Sequence, residues 1–343
     1  MRRKPRRYTP YHTPVECLEG RLLLAAQIVG SSTTYATIQA AVDAATPGAT
    51  VTVDAGNYPE LVGINKTLTI KGARAGTDAR GNTRAAWPAG ESVVSGESVG
   101  SATSSGFYIV ANDVTIDGFT VQGNTSAGMY GAGIVIAPNV AGTHILNNVL
   151  QNNIAGLYLS NSSTTDAAVV QYNVFRNNNN AGVNGGRGIY TDASISGGKL
   201  TNVTIDSNFF LNNFGGAGTT ELEAAIGLES LTPNAQSNIR ISNNVMEGNG
   251  KAVLAYNAAN LTITGNTVTT ILDQWSGALR FEGGVTNVTI TGNNLYANTG
   301  PAIHIDEKTI ATTSSGFTVT GNNVFGNSSA YGSPAAGFIV NGS

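Results

Sequence analysis

The chain has 343 residues, 11% charged and 41% hydrophobic, with 43 glycines, many asparagines and a net charge of −3. Residues 1–21 hold six Lys/Arg against two Glu, so the remainder carries −7 and the basic footprint of a nucleic-acid binder is absent. The single cysteine, Cys17, excludes an intramolecular disulfide and a cysteine-based metal site. This length would hold two ordinary domains. The apolar residues instead recur in short ordered runs with no long helical pattern, which argues for a folded repeat and against disorder.

The N-terminus reads "MRRKPRRYTPYHTPVECLEGRLLLAA". Its basic start suits an export signal, but the apolar run at residues 22–26 is shorter than a usual signal core and far too short to span a bilayer. "LEGRLLL", residues 18–24, resembles the LEPR-XLL segment at the N-terminus of large exported bacterial proteins, with Gly20 in place of its proline. The resemblance implies a secreted or cell-surface protein without a transmembrane segment. Residues 1–30 are expected to be a disordered export segment ahead of a folded region over 31–343.

The next segment, "TYATIQAAVDAA", places Ile38, Ala41, Val42 and Ala45 on one helical face. Beyond it, β-branched runs align on Ile116, Ile145, Val170, Ile205, Ile241, Ile263, Ile290 and Val319, at spacings of 29, 25, 35, 36, 22, 27 and 29. A variable period in this range is that of a solenoid whose loops absorb insertions. Three residues after each anchor stand Phe119, then Asn148, Asn173, Asn208, Asn244, Asn266, Asn293 and Asn322. Eight after stand Asn124, Asn153, Asn178, Asn213, Asn249, Ile271, Asn298 and Asn327. Between them, at plus five, lie Val121, Leu150, Phe175, Phe210, Met246, Val268, Leu295 and Val324. Apolar positions point inward and amides mark the corners, where an Asn in each coil can bond the coil beside it as a ladder.

A third run follows in each coil, as in "GLYLS" at 156, "GIYTD" at 188, "ALRFE" at 278 and "AIHID" at 302. Three alternating strands per coil make an all-β fold, a right-handed three-stranded parallel β-helix, with the short N-terminal α-helix capping its apolar end. Residues 35–73, "YATIQAAVDAATPGATVTVDAGNYPELVGINKTLTIKGA", resemble the N-terminal cap and first coil of the pectin-lyase-like superfamily, and the coils over 106–343 resemble its generic repeat. "GNYPE" matches the G-x-Y-x-E pattern of pectin methylesterases, where it belongs to the scaffold. The aspartate motifs of the esterases and the "NTD" and "G-H-G" motifs of polygalacturonases are not found, so the resemblance implies fold before activity.

In that superfamily, substrates lie along the face that the third run forms. Its outward column reads Tyr108, Val135, Tyr158, Tyr190, Gly227, Leu254, Arg280, His304 and Ile339. Two residues further along each strand stand Val110, Ala137, Ser160, Asp192, Glu229, Tyr256, Glu282, Asp306 and Asn341. Tyr158, Tyr190 and Tyr256 with Asp192 and Glu229 suit sugar binding, since aromatic faces take sugar rings and carboxylates take hydroxyls. Arg280, Glu282, His304 and Asp306 are the candidate catalytic group. Arg280 could clamp a carboxylate, His304 could take a proton, and the acids could form a glycosidase pair or hold Ca²⁺. Read as exposed strand positions, they are expected to be dispensable for stability. The inserted loops after Asp192 and before Ile226 are expected to wall this face, bringing Glu221 and Glu223 to it.

These features point to an exported β-helix that binds a polysaccharide and cleaves it by lyase or hydrolase chemistry. The alternative is a non-catalytic glycan-binding or structural surface protein. The last coil ends on "GFIVNGS" with no amphipathic cap, so a further domain or a partner is expected at that end.

Overall fold

A computed structural model describes residues 25–81, 84, 90–96, 105–126, 131–216, 222–307, 310–328 and 337–340. The LEPR-XLL-like stretch and Glu221 lie outside the described residues. Ahead of residue 31, Ala26–Ile28 already pairs antiparallel with the strand Thr50–Val53 at the edge of the first sheet. No helix among the described residues is long and apolar enough to cross a membrane.

Helix α1, Ile38–Ala44, starts where Thr37 accepts the N–H of Ala40 at 3.1 Å. The Glu60 carboxylate of "GNYPE" accepts the next two free donors, from Ile38 at 2.9 Å and Gln39 at 3.0 Å. Tyr58 donates its hydroxyl to the Asp54 carbonyl at 3.0 Å, so this motif serves the scaffold. Ile38, Ala41 and Val42 are fully buried, as the helical face requires of a cap.

From there the chain winds through three sheets, here A, B and C, of 12, 10 and 10 strands among the described residues. Each coil contributes one strand to each, as Thr115–Asp117, Phe119–Gln122 and Ala132–Ile136 do. The anchors pair in sequence down sheet A, from Ile116 to Ile145 and on to Val319. The plus-five residues pair down sheet B from Val121 to Val324. Both columns line the core, where Phe175 and Phe210 stack at 4.8 Å.

The corners explain the Asn-Asn doublets. The first member, as in Asn147, Asn152, Asn177, Asn212 and Asn243, bends the chain in the left-handed region with φ of 53–55°. The second is extended inward as a ladder rung. Asn244 Nδ2 donates to the Ile205 carbonyl at 2.9 Å and to Asn266 Oδ1 at 3.0 Å, while its own Oδ1 takes the backbone N–H and Nδ2 of Asn208. The same pattern joins Asn148, Asn173, Asn208, Asn266, Asn293 and Asn322. A second ladder runs from Asn124 through Asn153, Asn178 and Asn213 to Asn249, and resumes at Asn298 with Asn327 after Ile271.

At the last described coil the inward residues Val319, Val324 and Phe338 are 37, 38 and 47% exposed.

Candidate functional site

On sheet C the outward column falls in the expected register, with Tyr158 beside Tyr190, Leu254 beside Arg280, and Arg280 beside His304. In the second column Glu229 pairs with Tyr256 and Glu282 with Asp306. The exposure read for this face is corrected. Arg280, Glu282, His304 and Asp306 are 2, 5, 1 and 9% exposed, and Tyr158, Tyr190, Tyr256 and Glu229 are also buried. The cover comes from segments outside the repeat. Ile195 of α2, Ala193–Ser196, packs on Tyr158 and Tyr190, and Ile310 packs on Leu254 and Tyr256. The loop expected to wall the groove therefore lies on it.

The strands Leu279–Glu282 and Ile303–Asp306 bring the four candidate catalytic residues together. Arg280 Nε donates to Glu282 Oε1 at 2.9 Å and Nη2 to Asp306 Oδ2 at 2.6 Å. Nη2 also lies 2.8 Å from Glu282 Oε1, so one guanidinium nitrogen ties the two carboxylates. Nη1 meets His304 Nδ1. Because a guanidinium only donates, Nδ1 presents its lone pair and the ring proton resides on Nε2, 3.7 Å from Asp306 Oδ2. Burial, reinforced by Arg280, lowers the His304 pKa from 6.5 to about 4, so the ring is neutral at pH 7.

A second cluster forms two coils away. Arg187 Nε and Nη2 donate to Glu229 Oε1 and Oε2 at 2.9 and 3.0 Å, a bidentate pair, and its guanidinium lies 4.7 Å over the Tyr190 ring. Burial opposes the charge on both partners. It pushes Glu229 up against the pull of Arg187, while Glu229 outweighs it at Arg187 and raises that group too. The bidentate geometry is that of a charged pair. Tyr190 donates its hydroxyl to Asp192 Oδ2 at 3.0 Å, and burial followed by Glu229 holds that phenol well above its usual range. Asp192 Oδ1 accepts the N–H of Ile195 at 2.7 Å, so this expected sugar ligand is the N-cap of α2.

Three participants escaped the sequence reading. Strict alternation from Ile189 would turn Arg187 inward, but Gly188 itself faces the core, where a Cβ would stand 2.7 Å from the ring of Phe210, and Arg187 faces out. Lys251 and Asp273 form a buried pair at 2.7 Å. Asp273 Oδ1 also accepts the N–H groups of Trp275 and Ser276 at 2.9 and 3.0 Å, fixing the turn whose backbone bonds His304. Gly277 (φ 82°) closes that turn. A Cβ there would meet the Pro301 carbonyl at 2.8 Å and His304 Cβ at 3.2 Å. A lysine at a corner and an aspartate in a loop have no periodic signal. Glu223 is buried beside Gly186 at the edge of this face. Among the described residues no three His, Cys, Asp or Glu side chains converge on a metal position.

Residues 223–343 match the family model described as "Right handed beta helix region". Among solved structures, an alginate lyase from Paenibacillus sp. str. FPU-7 superposes with a TM-score of 0.52 at 16% identity, over 88% of this chain and 95% of that one. The A-module of mannuronan C-5 epimerase AlgE6 from Azotobacter vinelandii gives 0.41 at 15% identity, over 89% and 94%. No curated protein matches the sequence. The chain folds as a right-handed parallel β-helix.

Proposed function

We propose that this is a polysaccharide-acting β-helix protein, secreted or held at the cell surface, with its working site at Arg280, Glu282, His304 and Asp306. The observation that carries the reading is the convergence of two carboxylates and a neutral imidazole from adjacent strands on one guanidinium. Polysaccharide is also the substrate class of the alginate lyase that shares the fold. With Glu282 Oε1 and Asp306 Oδ2 at 2.8 and 2.6 Å from the same nitrogen, the bridged oxygens stand no more than about 5.5 Å apart, closer than the roughly 6.5 Å at which inverting glycosidase pairs begin. With His304 neutral, the cluster carries a formal excess of one negative charge. That excess disfavours a uronate carboxylate beside Arg280, so hydrolysis fits this arrangement better than β-elimination does.

The burial of the cluster favours a second reading, in which the ion pairs hold sheet C together and the protein binds glycan without cleaving it. A panel of neutral and uronate polysaccharides separates the two. New reducing ends without ultraviolet-absorbing unsaturated uronate mark a hydrolase, unsaturated uronate marks a lyase, and retention without products marks a binder. Glu282→Gln is expected to abolish any cleavage while leaving a cooperative unfolding transition. Cleavage that persists in this variant moves the chemistry off the cluster. Export rests on the resemblance at residues 18–24, and loss of the extracellular fraction on deletion of residues 1–24 is the result that supports it.

A further inference from the structure

The outer face of sheet B carries a pocket that the polysaccharide reading does not use. Its floor is apolar. Val149, Val174 and Phe209 are neighbours in successive strands, as are Gln151, Arg176 and Leu211. Ala79, Arg80, Gly81 and Arg84 lie across them, with Ala79 packed on Val149 and Val174 and its N–H donated to the Tyr172 carbonyl at 3.0 Å. The cavity between, lined also by Arg80, Arg84 and Arg176, has a volume of about 160 Å³.

The three arginines are not equivalent. Arg80 is neutralised by Asp78 at 2.7 Å and rests over the Tyr172 ring. Arg84 is neutralised by Glu91, with contacts of 2.9 and 2.7 Å. Arg176 has only an amide. Its Nε donates to Gln151 Oε1 at 2.7 Å, and Gln151 in turn donates to Gln122. Both Nη groups of Arg176 lack a hydrogen-bond partner among the described residues, so a planar donor edge with no carboxylate bonded to it lies at the wall of an apolar hollow. Burial, then the neighbouring Arg84, lower the Arg176 pKa against the opposing pull of Glu91.

We propose that this pocket binds a small organic carboxylate, held by the two Nη groups of Arg176 and packed by one face on Val174 and Phe209. A guanidinium edge takes a carboxylate through two parallel bonds, which a spherical cation does not offer. The volume is well below the roughly 300 Å³ at which drug-sized pockets begin, so the occupant is about one sugar ring or smaller. A uronic-acid residue at a chain end and a free small acid share this chemistry. The pocket lies on a different sheet from the Arg280 cluster, so its occupancy does not depend on turnover there.

Titration of the full chain with D-glucuronate, D-glucose and a short oligoglucuronate, followed by calorimetry, tests the assignment. Glucuronate is expected to bind saturably at millimolar level, glucose not at all, and Arg176→Gln to weaken glucuronate by about tenfold or more. Arg176→Lys, which keeps the charge but loses the fork, is expected to fall between. Tighter binding of the oligomer identifies a polymer end as the ligand, and equal or weaker binding identifies a free acid. Equal binding of glucose, no saturable binding of either acid, or glucuronate binding unchanged in Arg176→Gln overturns the proposal. The unfolding midpoint of Arg176→Gln, expected within a few degrees of the parent, guards against reading a folding defect as lost binding.

Discussion

The corner between sheets A and B and the outer face of sheet C both bury polar groups, and they satisfy them in opposite ways. The corner uses one neutral side chain at every level, each Asn giving its Nδ2 to the next rung and to the anchor carbonyl of the preceding coil. Sheet C uses charges that occur once. Arg187 with Glu229, Lys251 with Asp273, and Arg280 with Glu282 and Asp306 each satisfy one local need. A neutral rung is cheap to desolvate, so it can be repeated. An ion pair has a large desolvation cost that only its partner offsets, so each tolerates little change.

The largest effect is therefore expected on sheet C. Arg187→Ala leaves Glu229 buried without its bidentate partner and should cost about 3–5 kcal/mol in denaturant unfolding. Replacing both by apolar residues, Arg187→Met with Glu229→Leu, should recover most of that loss. A single substitution costing under about 1 kcal/mol would show that the pair is solvated.

A smaller effect is expected from acid. His304 titrates near pH 4 when folded and ordinarily near 6.5, so the folded state resists the proton that the unfolded state accepts. Its contribution is complete above pH 6.5, is lost as pH falls toward 4 and is flat below, and amounts to at most about 3 kcal/mol. His304→Gln should flatten this limb of the stability profile. Parallel profiles for the two proteins would place the titrating group elsewhere.

These differences also explain what was legible in the sequence. The columns from Ile116 to Val319 and from Val121 to Val324 could be read because each position recurs and errors in one coil are corrected by the others. The register of sheet C followed, and with it the grouping of Arg280, Glu282, His304 and Asp306. Their burial did not follow. Elsewhere on the face the cover is α2 over Tyr158 and Tyr190 and Ile310 over Leu254 and Tyr256, and at His304 the turn at Trp275 and Ser276 closes in, all from insertions belonging to single coils. Alternation marks a side chain as outward, but an outward position is exposed only where no loop returns over the sheet. Lys251 and Asp273 were missed for the same reason.

Within the ladder the expected cost is lower. Asn244→Ala removes the acceptor for the backbone and side-chain amides of Asn208 and the donor to the Ile205 carbonyl, all buried. About 1–3 kcal/mol is expected, because backbone groups are orphaned but no charge is. A change within about 0.5 kcal/mol in reversible unfolding would show that water replaces the rung.

The smallest effect is expected where the second ladder is interrupted. Ile271 occupies a rung position and is fully buried, yet its backbone N–H still donates to Asn298 Oδ1 at 3.0 Å, so the corner keeps its geometry without the side chain. An asparagine placed there would find its partners already set. Its Oδ1 would face the amides of Asn249, and its Nδ2 the Met246 carbonyl and Asn298 Oδ1, in the positions that Asn213 and its neighbours occupy two levels away. The recovered hydrogen bonds, roughly 1 kcal/mol each, oppose the roughly 2–3 kcal/mol of apolar burial lost with isoleucine. Ile271→Asn is therefore expected to change stability by less than about 1 kcal/mol. Leu295→Asn, equally buried but on the core column where no rung awaits it, should cost several kcal/mol. If the two substitutions prove equally damaging, the ladder adds nothing beyond backbone geometry, and the contrast between repeated neutral rungs and single ion pairs fails at its simpler end.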